Sequence, residues 1–538
     1  MSLVTSNPLE TAVARAAELY IDDRISVSNH AEQTAPVAQG GEFRVLMPAP
    51  EQRLLDNRAG LVRALEALLP DGIVSDPAAL APYSCDGLTA YRQLPLAVVL
   101  PRTTQDVSAI LGFCHREGVK VVARGAGTSL SGGALPLADG IVMGMARFNA
   151  VLDVDYHNRC AVVQPGVTNA AISQAVAERG CYFAPDPSSQ IACSIGGNVA
   201  ENAGGVHCLK YGTTSNNLLG VEMVLIDGTV LRLGGRGNDA PGYDLLGVVC
   251  GSEGMLGVVT EVTVRILSRP QVQNAVLLGF PTVEAAGECV AAIIGRGLIP
   301  AALEIMDRPA IHAAEAFVNA GYPLDVEALM IVEVDGAAVE VAEQIAIVET
   351  IARDGGCSFA RTSSNEAERL LFWAGRKAAF PAVGRISPDY YCVDGTIPRH
   401  ALGSVLRRIT EIAAAEGLRV ANVFHAGDGN LHPMILYDAN VPGQLQRAEA
   451  VGSAILETCV EVGGVLTGEH GVGVEKRDLM HKQFTPVDLL QQTRLKCAFD
   501  AHNLLNPGKV FPELCRCAEM GREHVHRGRQ RFPELPRF

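Results

Sequence analysis

Two short stretches of this sequence bring together side chains that could do chemistry. In Phe424-His425-Ala426-Gly427-Asp428-Gly429-Asn430-Leu431-His432, two histidines flank an Asp-Gly pair, with apolar runs on either side (Val420 to Phe424, Met434 to Leu436). That is a hairpin pattern. With Asp428-Gly429 as a two-residue turn, 427 faces 430, 426 faces 431, and His425 faces His432. Directly opposed residues share a face with Cβ atoms about 5 Å apart, so the two imidazoles could hold a divalent ion if a carboxylate completed the set. Gly468-Glu469-His470-Gly471-Val472-Gly473 offers one, and its adjacent histidine could serve a substrate. A bulge would spoil this register, and two hydrogen-bonded core histidines explain the first stretch equally well. Arg376, in Phe372-Trp373-Ala374-Gly375-Arg376-Lys377, carries a planar fork suited to a carboxylate; a solvated helix arginine is the plain alternative.

A third segment is suited to phosphate. Arg124-Gly125-Ala126-Gly127-Thr128-Ser129-Leu130-Ser131-Gly132-Gly133 follows an apolar strand and offers successive backbone N–H groups with little side-chain bulk. It is neither a Rossmann fingerprint, because Leu130 stands where glycine is needed, nor a P-loop, because it lacks lysine. Alone it could be a structural turn. It is followed, in order, by Ala184-Pro185-Asp186-Pro187-Ser188-Ser189, Ser194-Ile195-Gly196-Gly197-Asn198 with Asn202-Ala203-Gly204-Gly205, and Gly251-Ser252-Glu253-Gly254-Met255-Leu256-Gly257.

The elements that must position these segments alternate between helix and strand from residue 56 onward. Val107, Ile110, Leu111 and Cys114 recur at helical spacing behind a Thr103/Asp106 capping box, and Gly118 ends that helix. Lys120 to Ala123 is a strand. Asn169 to Arg179 is a helix between Thr168 and Gly180. Val221–Ile226 and Thr229–Leu233 flank Asp227-Gly228 as a hairpin, and Val262, Val264 and Ile266 alternate as a half-buried strand. Beyond Ser268-Arg269-Pro270, strands are expected near 275–280, 329–334 and 390–397. Helices are expected near 283–296, 337–353, 365–379, 400–416 and 486–499. The pattern predicts an α+β fold whose second unit is an antiparallel sheet with helices on one face.

With 538 residues, two or three domains are expected. The boundaries read as an extension over 1–55 (with one helix, 9–20), a nucleotide unit over 56–270, a substrate unit over 271–494, and a segment with an irregular tail over 495–538. A net charge of −15 argues against nucleic acid or an anionic membrane as the main partner. No apolar run reaches the roughly 18 residues of a membrane span, and the acidic N-terminus lacks a signal-peptide core, so a cytoplasmic location is expected. The 14 cysteines form no C-x-x-C; they read as reduced thiols, with no iron–sulfur cluster.

The four glycine-bearing motifs together resemble the FAD-binding domain of the vanillyl-alcohol oxidase (PCMH-type) family, over about residues 90–270. The resemblance implies a PCMH-type domain of two α+β subdomains and a ferredoxin-like α+β cap. It implies FAD contacts from Arg124, Gly125, Ala126, Gly127, Thr128, Ser129, Ser131 and Gly132, from Asp186, Pro187, Ser188 and Ser189, from Gly196, Gly197, Asn202, Gly204 and Gly205, and from Gly257, Val259 and Asn506. The first loop lacks the histidine that commonly attaches FAD covalently, so a non-covalent cofactor is implied. With the histidine–glutamate stretches, the chain is similar to the D-lactate, D-2-hydroxyglutarate and glycolate dehydrogenase subgroup. In that light His425, His432 and Glu469 are ligands of a divalent metal (zinc, with manganese and iron as alternatives), His470 is the base, and Arg376 binds the carboxylate. Phe380 and Tyr390-Tyr391-Cys392 stand where members acting on 2-hydroxyglutarate carry further polar groups, which favours a short acid: glycolate first, D-lactate second. The region 372–399 and the tail resemble the glycolate-oxidising branch. That branch implies a second flavin-domain subunit, an iron–sulfur subunit, and peripheral attachment at the inner membrane through them. A zinc hydrolase would leave the glycine motifs without a role; a flavin-binding subunit without catalysis would not need His470.

Overall fold

The computed structural model describes residues 34–36, 46–237, 242–512, 525–526 and 529–530. The helix expected over 9–20 and most of the basic tail lie outside them. Among the described residues no helix is long and apolar enough to cross a membrane.

Two sheets build the N-terminal half. The first has four strands in the order Ile73–Val74, Ala97–Val99, Gly140–Gly144, Lys120–Arg124, with its last three parallel. Helix Thr104–Glu117 starts on the expected capping box and stops at Gly118, whose φ is 71°. Its apolar stripe packs with Val121, Ile141 and Met143. Strand Lys120–Arg124 therefore delivers the glycine-rich loop from a buried, rigid base. Leu505 bridges Val121 in parallel, so the chain returns to this sheet after leaving it. The second sheet is antiparallel and orders Val230–Gly234, Leu218–Val224, Val258–Arg265, Cys160–Val163 and Val151–Asp155. Its hairpin pairs Val224 with Val230, so the connection is longer than the two-residue turn expected at Asp227-Gly228.

The C-terminal half is a seven-stranded antiparallel sheet in the order Phe359–Thr362, Val272–Phe280, Ala328–Gly336, Ala302–Asp307, Arg419–His425, Asn430–Tyr437, Asp389–Cys392. Strands Ala302–Asp307 and Phe359–Thr362 and helices Arg308–Val318 and Gln444–Glu461 add to the expected set. Helices cover both faces of this sheet, not one. Val276, Leu278 and Phe280 pack with Val290, Val348 and Leu402, whereas Ala275 and Leu277 pack with Ile311, Phe372 and Trp373. The reason is visible in Ala275 to Phe280, an unbroken run from which glycine alone lacks an apolar side chain; alternation would be needed to leave one face wet. Helix Glu366–Lys377, which carries Arg376, lies on the Trp373 face. The described cysteines are free thiols with one correction to the expected set: Cys497 is disulfide-bonded.

Candidate functional site: a glycine-lined cavity meeting a histidine–glutamate cluster

One cavity is walled on one side by the glycine motifs and on the other by the histidine–glutamate cluster. Arg124, Gly125, Ala126, Gly127, Thr128, Ser129, Pro187, Ser188, Ser189, Gly196, Gly197, Gly257 and Val259 line it, and so do His432, Glu469 and His470. Gly127 has a φ of 71°, and a Cβ there would sit 2.2 Å from the Arg124 guanidinium, so only glycine lets the loop curl around that side chain. Ser129 and Ser131 place their hydroxyl oxygens 3.1 Å apart.

The other expected cofactor residues stand behind this wall. Asn506 Nδ2 donates to the Gly133 and Glu253 carbonyls (2.9 and 2.7 Å), tying two glycine segments together. Asn202 caps helix Ile195–Glu201 in the left-handed conformation, and its Oδ1 accepts from Ser215 N. Asp186 is held by the His207 imidazole at 2.8 Å. A Cβ on Gly204 would meet Glu469 Oε2 at 2.7 Å, so this glycine allows the carboxylate to approach the backbone. Ser131, Gly132 and Gly205 also lie off the lining, Ser131 being fully buried.

The hairpin differs from its expected register. His425 pairs with Asn430 and His432 with Val423, leaving Ala426 to Gly429 as a four-residue connection. The offset moves each pairing by two residues. Side-chain direction repeats every two, so His425 and His432 still share a face, as diagonal neighbours. Their ring centroids are 5.0 Å apart and nearly perpendicular. Glu469 Oε1 lies 3.3 Å from Nε2 of each.

This donor set fits a divalent cation. Two imidazole nitrogens and one carboxylate oxygen converge; His425 and His432 are buried and Glu469 partly so, and apart from the 3.3 Å approach of Glu469 to Nε2 the ring nitrogens of His432 have no partner. Two histidines and a carboxylate, with room for a further ligand, are the donors of a catalytic zinc-type site.

His470 stacks on His432 at 5.0 Å. Burial holds its ring down to about 4, so it is neutral at ordinary pH and able to accept a proton. Its Nδ1 faces Asp394 Oδ2 at 4.0 Å. Asp394 orders the whole loop: Oδ2 accepts from the backbone N–H of Gly468, Glu469 and His470 at 3.1, 2.7 and 2.8 Å, while Oδ1 pairs with Lys476. From the other side, the Glu253 carboxylate accepts from Val472 N and Gly473 N, both at 2.7 Å.

Arg376 is not on the cavity wall. It is buried, and its Nε and Nη2 face Glu304 Oε2 at 2.8 and 2.6 Å. Glu304, Asp394, Glu253 and Glu201, the last two further lining residues, are not singled out by any local sequence motif. Glu304 had a signal: a carboxylate within Ala302-Leu303-Glu304-Ile305-Met306, an otherwise apolar strand, must find a buried partner.

Comparison with known proteins agrees with this architecture. Residues 95–234 match the model of an FAD binding domain, and residues 269–510 that of the FAD linked oxidases, C-terminal domain. The chain belongs to the FAD-linked oxidases of PCMH type and is an FAD-dependent oxidoreductase. It is 56% identical to the glycolate oxidase subunit GlcD of Escherichia coli (strain K12), over 90% of this chain and 97% of that one. It is 37% identical to the protein of the same name from Bacillus subtilis (strain 168), over 81% and 93%. The fold is also that of p-cresol methylhydroxylase (TM-score 0.70, 17% identity, 86% of this chain and 98% of that one).

Proposed function

We propose that this chain oxidises glycolate to glyoxylate on non-covalent FAD, as the flavin-bearing chain of a multi-subunit glycolate oxidase. The observation that carries the reading is the meeting of His432, Glu469 and His470 with the glycine motifs in one cavity. The glycine loops would cradle the FAD pyrophosphate. When bound, FAD supplies the two-electron acceptor for the carbinol hydride, chemistry no side chain can perform. A divalent ion on His425, His432 and Glu469 would lower the pKa of the substrate hydroxyl.

The remaining steps belong to the chain itself. His470, its Nδ1 turned to Asp394, takes the hydroxyl proton on Nε2. Arg376 is assigned to the substrate carboxylate on the resemblance; packed on Glu304 behind the cavity wall, its guanidinium would have to turn toward the cavity to reach the acid. Phe380 closes the wall beside His432, its ring centroid 6.3 Å away and edge-on. An apolar surface there has no partner for a second carboxylate, which supports a short monocarboxylic acid. Both bacterial relatives are glycolate oxidase subunits by name, which supports partner chains. We assign these as a second flavin-domain subunit and an iron–sulfur subunit that take the electrons onward, the assembly lying in the cytoplasm or at the inner membrane.

The test is an anaerobic visible spectrum of the isolated complex before and after glycolate, with D-lactate in a parallel cuvette. Bleaching of the flavin bands is expected with both, faster at equal concentration with glycolate. A spectrum unchanged by either acid would refute the proposal, and a faster response to D-lactate would move the substrate assignment to that acid.

A further inference from the structure

Glu304 sits in the middle of a sheet strand, 1% exposed, and its same-face neighbours along the strand, Ala302 and Met306, are apolar. An ionised carboxylate in such a place is strongly unfavourable unless opposite charge and hydrogen bonds answer it. Both oxygens are answered, by different partners. Oε2 faces Arg376 (Nε 2.8 Å, Nη2 2.6 Å), and Oε1 faces Nδ1 of His425 at 2.7 Å. The second contact follows from the sheet, which pairs Glu304 directly opposite His425. With Nδ1 so engaged, His425 has only Nε2 to offer toward Glu469 and His432. A histidine whose Nδ1–H is held by a carboxylate is fixed in the ligating tautomer and orientation and is the more basic ligand.

We propose that Glu304 is a positioning residue that joins the metal half of the site to its carboxylate-binding half. One buried carboxylate orients His425 for the ion and holds Arg376 for the substrate, so both bindings depend on it. This rests on the proposed function and deepens it by naming what makes two separate recognition elements behave as one.

The experiment uses the FAD-loaded protein, dialysed against chelator and titrated with zinc alone, beside steady-state glycolate kinetics. Glu304→Gln keeps the side chain's shape, but its single carbonyl oxygen satisfies one donor and its NH2 faces the other. Zinc affinity is expected to fall about 10–100-fold. The KM for glycolate is expected to rise at least about tenfold, while the flavin spectrum is retained. Glu304→Asp keeps the charge but is one methylene too short to reach both partners; an intermediate loss of zinc affinity is expected, which keeps the test open if the glutamine variant does not fold. A purely structural role would lower the melting temperature of both variants and leave zinc affinity and KM at wild-type values; that result overturns the proposal. If wild-type protein itself binds no zinc, the assigned ion site falls and this inference with it. If wild type binds zinc and the variants bind it equally well, the inference alone falls.

Discussion

Replacing Asp394 with asparagine should unmoor the loop that carries Glu469 and His470. Asp394 is wholly buried and so is Lys476, its partner in an ion pair. Burial pushes the carboxyl up, yet Lys476 and the nearby histidines overcome this and hold it at about 2. Asparagine has one acceptor oxygen. If that oxygen serves the three backbone N–H groups of residues 468–470, its NH2 is turned toward a buried ammonium. Breaking a buried pair by removing one charge costs about 3–5 kcal/mol. For a unit of about 240 residues, each kcal/mol is worth about 2–4 °C of melting temperature, so the circular-dichroism transition should fall by roughly 6–20 °C. The pH dependence has a definite sign. A carboxyl depressed from 3.8 to about 2 stabilises fully above its unfolded value, and that stabilisation is lost as pH falls through about 2. The gap between wild type and variant should therefore narrow below pH 4. Adding Lys476→Met to the asparagine variant should restore much of the stability, because neither charge is then left alone. A single variant that melts within about 2 °C of wild type and turns over at the wild-type rate would show that this ion pair does not hold the loop.

His470→Asn should lower kcat by about 10²–10⁴-fold, the usual worth of a positioned base. The flavin spectrum and the zinc titration should stay unchanged, and a rate within threefold of wild type would remove His470 from the mechanism. Lys509, which donates to Leu135 O at 2.9 Å and Asn506 Oδ1 at 2.5 Å, is lowered by burial from 10.5 to about 7. A depressed lysine contributes stability that is complete above pH 10.5 and is lost progressively as pH falls to 7. Lys509→Met should flatten the melting-temperature profile between pH 7 and 9, and an unchanged slope there would show that the ammonium is not desolvated.

Much of this site was legible because its chemistry depends on residue type and short spacing. The glycine loop announces itself by lacking side chains, and His425, His432 and the Glu469-His470 pair lie within nine-residue and six-residue stretches. Even the mistaken register did no harm, since an offset of two preserves the face. What stayed hidden depends on separation along the chain. Glu304 meets His425 across 121 residues and Arg376 across 72, and no local pattern reports such a contact. The same holds for the sheet's second covered face. Ala275 to Phe280 signals burial, but helix Arg308–Val318, which covers part of that face, follows a strand that the sequence reading passed over. Arg376 shows the reverse failure: its type and helix were read correctly, yet the sequence could not show that a buried carboxylate already occupies most of its guanidinium.

The loop that carries Glu469 and His470 is held by one carboxylate from each half of the molecule, which bears on where the candidate site sits. Asp394, just beyond a strand of the seven-stranded sheet, takes the N–H groups of residues 468–470; Glu253, from the last glycine segment of the FAD-binding half, takes those of Val472 and Gly473. Successive backbone N–H groups donate to one carboxylate only where the loop's curvature presents them together, and Gly471 and Gly473, with φ of 84° and 52°, supply that curvature. The two anchors set the loop's position relative to both halves at once. On the proposed mechanism, the base must reach a substrate bound by one half while hydride leaves toward a cofactor bound by the other, and its position then has to be fixed against both. A loop anchored on one side alone would follow any small displacement between the halves, and about 1 Å of misplacement is enough to cost two orders of magnitude in rate.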